Sequence, residues 1–344
     1  MISRRNFCKT CLATVGAVAV GGMDLLGMAN RPNTQSTQNT TNSTAYRPRY
    51  LELERSGELE RRERILWQRM ESCDICPRMC NVNRMAGNKG VCSSDNTLVV
   101  SSHGPHFGEE RPLVGRRGSG TIFFANCNLL CVFCINWETA HHGVGRPTTH
   151  EQLADMMISL QNRGCHNINL VTPSHILPHI ITGLRMAIDK GLNLPVLYNS
   201  SGYEALEIIQ LLDGIVDVYL PDFKYQDSEV GARLSPGAVN YPEYARNALK
   251  EMHRQVGTLQ VVDGIAQRGL LIRHLVMPEN LAGTDVFVKW VASELGTDTH
   301  VNIMSQYTPV FQAFQHPPID RRLHRQEFDQ AMRWAREAGL HNFH

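Results

Sequence analysis

Thr121-Ile122-Phe123-Phe124-Ala125 runs without a break into Asn126-Cys127-Asn128-Leu129-Leu130-Cys131-Val132-Phe133-Cys134. The first five residues, apolar and aromatic, read as a buried strand. The remainder places three cysteines at C-x3-C-x2-C on the loop that leaves it. The rhythm recurs downstream. Short runs rich in Val, Ile and Leu at 167–172, 194–199, 216–220, 270–277 and 300–305 read as five further strands, with helical patterns between them. In the clearest helix Thr148 and Glu151 form a capping-box pattern, Leu153, Met156, Met157 and Leu160 share one face, and Gly164 ends it. Gly191, Gly296 and Gly339 close later helices. Strands that alternate with helices run parallel through right-handed crossovers, which leaves an open doubly wound sheet or a barrel-like array. Periodicity does not separate the two.

A loop at the C-terminal end of a strand is where parallel α/β folds place reaction centres. A 4Fe-4S cube takes four thiolates, one for each iron, so Cys127, Cys131 and Cys134 alone would leave one iron open. An open iron can bind an exogenous amino acid through its amino and carboxylate groups. Two blander readings stand beside this one: a zinc site completed by His141 or His142, or cysteines buried for packing.

The chain has 344 residues and ten cysteines, and the cysteines are clustered. Besides the triplet, Cys73, Cys76, Cys80 and Cys92 follow one another at C-x2-C-x3-C-x11-C. Four thiolates close a zinc or iron–sulfur site without an outside ligand, and Gly87 and Gly90 supply turns for a compact knuckle. Disulfides, or free thiols, are the alternatives. Cys165 stands alone and reads as core. The net charge is +1 with both signs interspersed, so no footprint for nucleic acid is present. Arg61-Arg62-Glu63-Arg64 reads as a solvated helix face.

The N-terminus carries Ser3-Arg4-Arg5-Asn6-Phe7-Cys8-Lys9 before a weakly apolar run from Leu12 to Ala29. A twin-arginine pair in that place reads as a Tat-type signal, with Gly27-Met28-Ala29 as small residues for cleavage. Gly16, Gly21, Gly22 and Asp24 interrupt the run, and a stable membrane span needs about 20 apolar residues, so none is expected. Residues 30–49 are mostly Asn, Thr, Ser, Gln, Pro and Arg and read as a disordered linker.

The strand followed by C-x3-C-x2-C, with Phe133 just before the third cysteine, resembles the defining motif of the radical S-adenosylmethionine (SAM) superfamily. The resemblance implies an α/β fold, a partial (β/α)6 TIM-like barrel here preceded by a cysteine-rich N-terminal extension. It also implies a 4Fe-4S cluster that reductively cleaves SAM to methionine and a 5′-deoxyadenosyl radical, which abstracts hydrogen from substrate. Over roughly residues 70 to 310 the chain is most similar to relatives of pyruvate formate-lyase activating enzyme. By that likeness Asp222 and Lys224 in Leu220-Pro221-Asp222-Phe223-Lys224, and Arg273 in Leu271-Ile272-Arg273-His274, contact SAM. Asn199, Ser200 and Ser201 would reach its ribose or methionine portion. An electron donor such as flavodoxin or ferredoxin is implied, and a protein substrate is suggested by glycyl-radical activation.

The chain departs from the superfamily in one place. The second strand usually ends in a Gly-Gly-Glu-Pro-like turn at the SAM amino group, where this chain has Val171-Thr172-Pro173-Ser174-His175. That departure keeps a second reading alive, a non-catalytic iron–sulfur or zinc protein for electron transfer or sensing. The expected organisation is a signal at 1–29, a linker at 30–49, a cysteine-rich segment at 50–108, the barrel at 109–310 and a helical extension at 311–344. Residues 306–344, which contain Gln306-Tyr307-Thr308-Pro309 and a terminal helix from about Arg325 to Ala338, could cover the barrel mouth. The leader points to export to the periplasm, the need for SAM to the cytoplasm.

Overall fold

The computed structural model describes residues 46–343, so the expected signal, Cys8, Cys11 and most of the expected linker lie outside the described residues. Nine strands form the sheet: β1 Val99–His106, β2 Ser119–Phe124, β3 Arg146–Pro147, β4 Ile168–Val171, β5 Val196–Ser200, β6 Val218–Pro221, β7 Gln260–Val262, β8 Ile265–Leu275 and β9 His300–Met304. β2, β4, β5, β6, β8 and β9 are parallel neighbours in that order, and they are the six strands expected from the sequence. Long helices fill the crossovers, among them His150–Asn162, Leu177–Asp189, Tyr241–Val256 and Thr284–Glu294. Among the described residues no pairing joins β9 back to β1, β2 or β3, so the barrel stays open. β1 lies antiparallel on the outer edge of β2, and β7 forms a hairpin with β8.

β4 is buried at all four of its residues and β5 at all five, as strands covered on both faces must be. Alternate residues turn to opposite faces. Leu197, Val218, Leu220 and Leu271 meet Leu113 in a small apolar cluster apart from the main core. Two residues further along the same strands stand Asn199, Asp222 and Arg273, on the same face and nearer the C-terminal mouth.

The N-terminal helices Tyr50–Arg55 and Glu58–Gln68 are tied to the barrel by long-range polar contacts. Tyr46 donates to Asp217 at 2.6 Å and Tyr50 to the Leu194 carbonyl at 2.8 Å, so the expected linker ends before residue 46. Arg185 pairs with Glu54 at 2.9 Å and Glu63 at 2.7 Å. The expectation of a wholly solvated face at Arg61-Arg62-Glu63-Arg64 is therefore corrected. Arg61 and Arg64 pair with Glu58 and Glu60 on the solvent side, but Arg62 donates to the carbonyls of Leu211 and Asp213 and Glu63 takes Arg185.

One further expectation is corrected and one is narrowed. The capping box sits one residue later, on Thr149 and Gln152, with both reciprocal bonds made. The terminal helix Arg325–Glu337 packs on helix Thr284–Glu294, not over the mouth. It is the stretch before it that backs the cysteine loop: Phe311 stacks on Trp137 at 5.3 Å, and Gln312 N–H donates to the Val132 carbonyl at 3.0 Å. Among the described residues no helix is long and apolar enough to cross a membrane.

Candidate active site

Cys127, Cys131 and Cys134 sit on the loop leaving β2, at the C-terminal edge of the parallel strands. All three are free thiols; the first two are buried and the third is partly so. The loop is wound tightly by Asn126 and Leu130, whose φ values of 72° and 59° are uncommon outside glycine. Asn126 is held by the Thr139 carbonyl and by Ser94, and Asn128 donates to the Tyr203 carbonyl at 2.7 Å. Phe133, packed edge-on against Tyr225 and Tyr307, anchors the far side of the loop in the core.

The sulfurs face donors. The Leu129 N–H reaches Cys127 Sγ at 3.4 Å, and the Asn136 N–H does the same for Cys134. Each donor lies two residues after its cysteine. Burial, together with the neighbouring thiols, pushes Cys127 up to about 11 and Cys134 up to about 12, and the Lys224 charge acts in the opposite sense on both. His141 Nε2 bonds the Cys131 carbonyl at 3.0 Å and so braces the loop. Among the described residues, no three His, Cys, Asp or Glu side chains gather closely enough to hold a single metal ion.

The expected SAM-side residues converge. Lys224 Nζ stands 2.8 Å from Asp222. Burial pulls the ammonium down, but the Asp222 carboxylate and then the Cys131 sulfur outweigh it and hold Lys224 above its ordinary value. Lys224 thus carries positive charge toward the cysteine loop. The Asp222 backbone also pairs with that of Arg273 on the adjacent β8. Arg273 contacts Asn199 at 3.5 Å, but its fork is taken by Glu110 through two bonds of 2.8 Å and by Glu109. Ser201 Oγ donates to Asn128 Oδ1 at 3.5 Å, which links β5 to the cysteine loop. At the end of β4, Thr172 adopts φ 59°, a left-handed conformation costly for a β-branched residue, where the superfamily turn carries glycine.

Several residues at the site carry no motif. Glu110 also accepts from Asn302 at 2.8 Å and so joins β8 and β9 across the open side. Glu204 is fully buried beneath the mouth, accepting from Ser174 at 2.6 Å and Tyr198 at 3.2 Å. Tyr241 accepts the Lys224 N–H at 2.9 Å and donates to the Ser201 carbonyl at 2.9 Å. Only the tertiary fold brings these groups together.

Cys73, Cys76, Cys80 and Cys92 are likewise free, three of them buried, and they lie within one another's electrostatic reach. Their segment docks directly on the first loop. Arg78 donates to the carbonyls of Asn128 at 2.8 Å and Leu129 at 2.9 Å.

Residues 121–266 match the Radical SAM superfamily domain, a span that contains the three-cysteine loop, Asn199, Ser201, Asp222 and Lys224. An uncharacterised protein of Methanocaldococcus jannaschii is 33% identical over 280 residues, covering 78% of this chain and 76% of that one. The chain belongs to the radical SAM superfamily. Membership implies an iron–sulfur enzyme that cleaves SAM, with a 4Fe-4S cluster and SAM as its cofactors. Solved radical SAM structures lie further off. A radical SAM methyltransferase from Sphaerobacter thermophilus aligns at TM-score 0.48 and 14% identity over 84% of this chain and 89% of that one. HydG, a maturase of the FeFe-hydrogenase, aligns at 0.42 and 14% over 62% and 47%.

Proposed function

We propose that Cys127, Cys131 and Cys134 hold the 4Fe-4S cluster of this radical SAM enzyme, and that SAM lies between them and the strand ends carrying Asn199, Ser201, Asp222, Lys224 and Arg273. When bound, the cluster supplies the electron that cleaves SAM to methionine and a 5′-deoxyadenosyl radical. The protein's part is positioning. Lys224 supplies a fixed positive charge, Asp222 orients that lysine, and the loop wound by Asn126 and Leu130 presents the sulfurs. The observation that carries this reading is the partly buried Lys224–Asp222 ion pair of 2.8 Å at the end of β6, within electrostatic reach of the cysteine loop.

The hydrogen donor is in this reading another protein, as in the activation of glycyl-radical enzymes, which is the resemblance noted over residues 70 to 310. An electron donor of the flavodoxin or ferredoxin class would reduce the cluster. Cys73, Cys76, Cys80 and Cys92 form a second metal site. We place the reaction on the cytoplasmic side, where SAM is made, with the twin-arginine leader still attached. One observation favours a non-catalytic reading: Glu109 and Glu110 occupy the Arg273 fork. Cys131→Ala tests the assignment. About four irons per chain and all SAM cleavage should be lost; unchanged iron content would contradict it.

A further inference from the structure

We propose that Cys73, Cys76, Cys80 and Cys92 hold a second 4Fe-4S cluster, closed by four thiolates, and that Arg84 is its buried counter-cation. This deepens the reading of the group as a metal site and rests on it. Every sulfur of the group receives an N–H. Arg78 N–H points at Cys76 and Ser94 N–H at Cys92, each two residues after its cysteine. Val91 N–H reaches Cys80 Sγ at 3.3 Å, and Arg84 Nη1 reaches Cys73 Sγ at 3.8 Å. A thiol sulfur is a weak acceptor, whereas a thiolate attracts such donors strongly. The same two-residue pattern serves Cys127 and Cys134, in the loop where membership of the superfamily requires a cluster.

The backbone is bent to make this knuckle. Met79, Asn81 and Ser93, each next to a ligand cysteine, have φ values of 41°, 53° and 58°. Strain of that kind persists only where the surroundings hold it, and it gathers at functional sites. Gly90 passes so close that a Cβ there would lie 3.1 Å from Cys80 Sγ.

Arg84 supplies the charge argument. Its side chain is fully buried and its guanidinium cannot shed its proton. A buried charge requires a partner, yet among the described residues its hydrogen-bond acceptors include no carboxylate. It donates instead to the carbonyls of Asp95 at 2.9 Å and His175 at 2.6 Å and to Cys73, and its field falls on Cys92. Four thiolates on a metal centre are negative overall and provide the missing anion. A disulfide or neutral thiols would not.

The full chain, reconstituted anaerobically with iron and sulfide, should carry about eight irons and eight sulfides, two cubes' worth. A Cys127→Ala, Cys131→Ala, Cys134→Ala variant should keep about half of that iron and show a reducible cluster by electron paramagnetic resonance; Cys73→Ala with Cys76→Ala should lose the other half. About four irons plus one zinc in the wild-type chain would overturn the second cluster and leave a second metal site standing. About four irons and no other metal would overturn both. The wild-type count decides even if a variant fails to fold. In the triple-alanine background, Arg84→Gln should lower the midpoint potential of the remaining cluster and Arg84→Lys should restore much of it. An unchanged potential in Arg84→Gln would overturn the counter-cation role.

Discussion

Arg273 on β8 and Glu110, on the segment between β1 and β2, form a bidentate ion pair whose two N–O distances are both 2.8 Å. The Glu110 side chain is 3% exposed and that of Arg273 15%, so the pair is sheltered from solvent screening. Burial alone would raise the Glu110 carboxyl, but the Arg273 guanidinium holds it below its ordinary value. Removing Glu110 alone leaves Glu109 on the guanidinium, whereas removing both carboxylates strands the Arg273 charge in the interior, at a cost of roughly 3–5 kcal/mol. We expect Glu109→Ala combined with Glu110→Ala to lower the stability of the chain by about that much in urea unfolding. A change under about 1 kcal/mol would mean that water reaches Arg273.

Glu204 should make stability depend on pH. Its carboxyl is raised from 4.5 to about 7, because burial outweighs the hydrogen bonds from Ser174, Ser200 and Tyr198. In the fold the neutral acid is favoured, so between those values the native chain holds a proton that the unfolded chain has lost. The stabilisation is complete below about 4.5 and is lost as pH rises through about 7. Buried neutral histidines such as His274 work in the opposite sense, so the informative quantity is a difference. Relative to wild type, Glu204→Gln should gain roughly 3 kcal/mol between about pH 5 and about pH 8. A constant difference across that range would show the carboxylate to be already ionised.

Gly202 tests how the strand end is held. With φ 73° it lies so close to β6 that a Cβ would stand 2.2 Å from the Asp222 carbonyl oxygen. Gly202→Ala should therefore push Asp222 and Lys224 away from the cysteine loop, weakening SAM binding about tenfold or more while iron content is retained. Isothermal titration on the reconstituted protein reads this, and unaltered affinity would separate Asp222 from SAM.

Asp222→Ala addresses Lys224 through its partner. Without the carboxylate at 2.8 Å the partly buried ammonium loses the anion that holds its proton. SAM affinity should fall about tenfold or more. Asp222→Glu should recover part of that loss; equal losses in both variants would point to collapse of the strand end.

The barrel was largely legible because parallel strands buried on both faces are written as continuous apolar runs. All six were placed, the ends shifting by a few residues. β1 escaped because its sequence, Val-Val-Ser-Ser-His-Gly-Pro-His, carries neither alternation nor an apolar run. β7 is exposed along its length and gave no signal. The misplaced cap has a simple cause: Thr148 with Glu151 and Thr149 with Gln152 satisfy the same pattern, and only the backbone chooses. The cysteine spacings stood out because their chemistry is local. Glu110, Glu204 and Arg84 did not, since each acquires its role from residues far away in the chain.

The most direct test of a SAM-cleaving centre at Cys127, Cys131 and Cys134 is the formation of 5′-deoxyadenosine. The chain is reconstituted anaerobically with iron and sulfide, reduced with dithionite and supplied with SAM. We expect 5′-deoxyadenosine and methionine to accumulate together with wild-type protein and to be absent with Cys131→Ala. Intact cluster content in the wild-type chain with no 5′-deoxyadenosine would contradict the enzyme and leave an electron carrier or sensor.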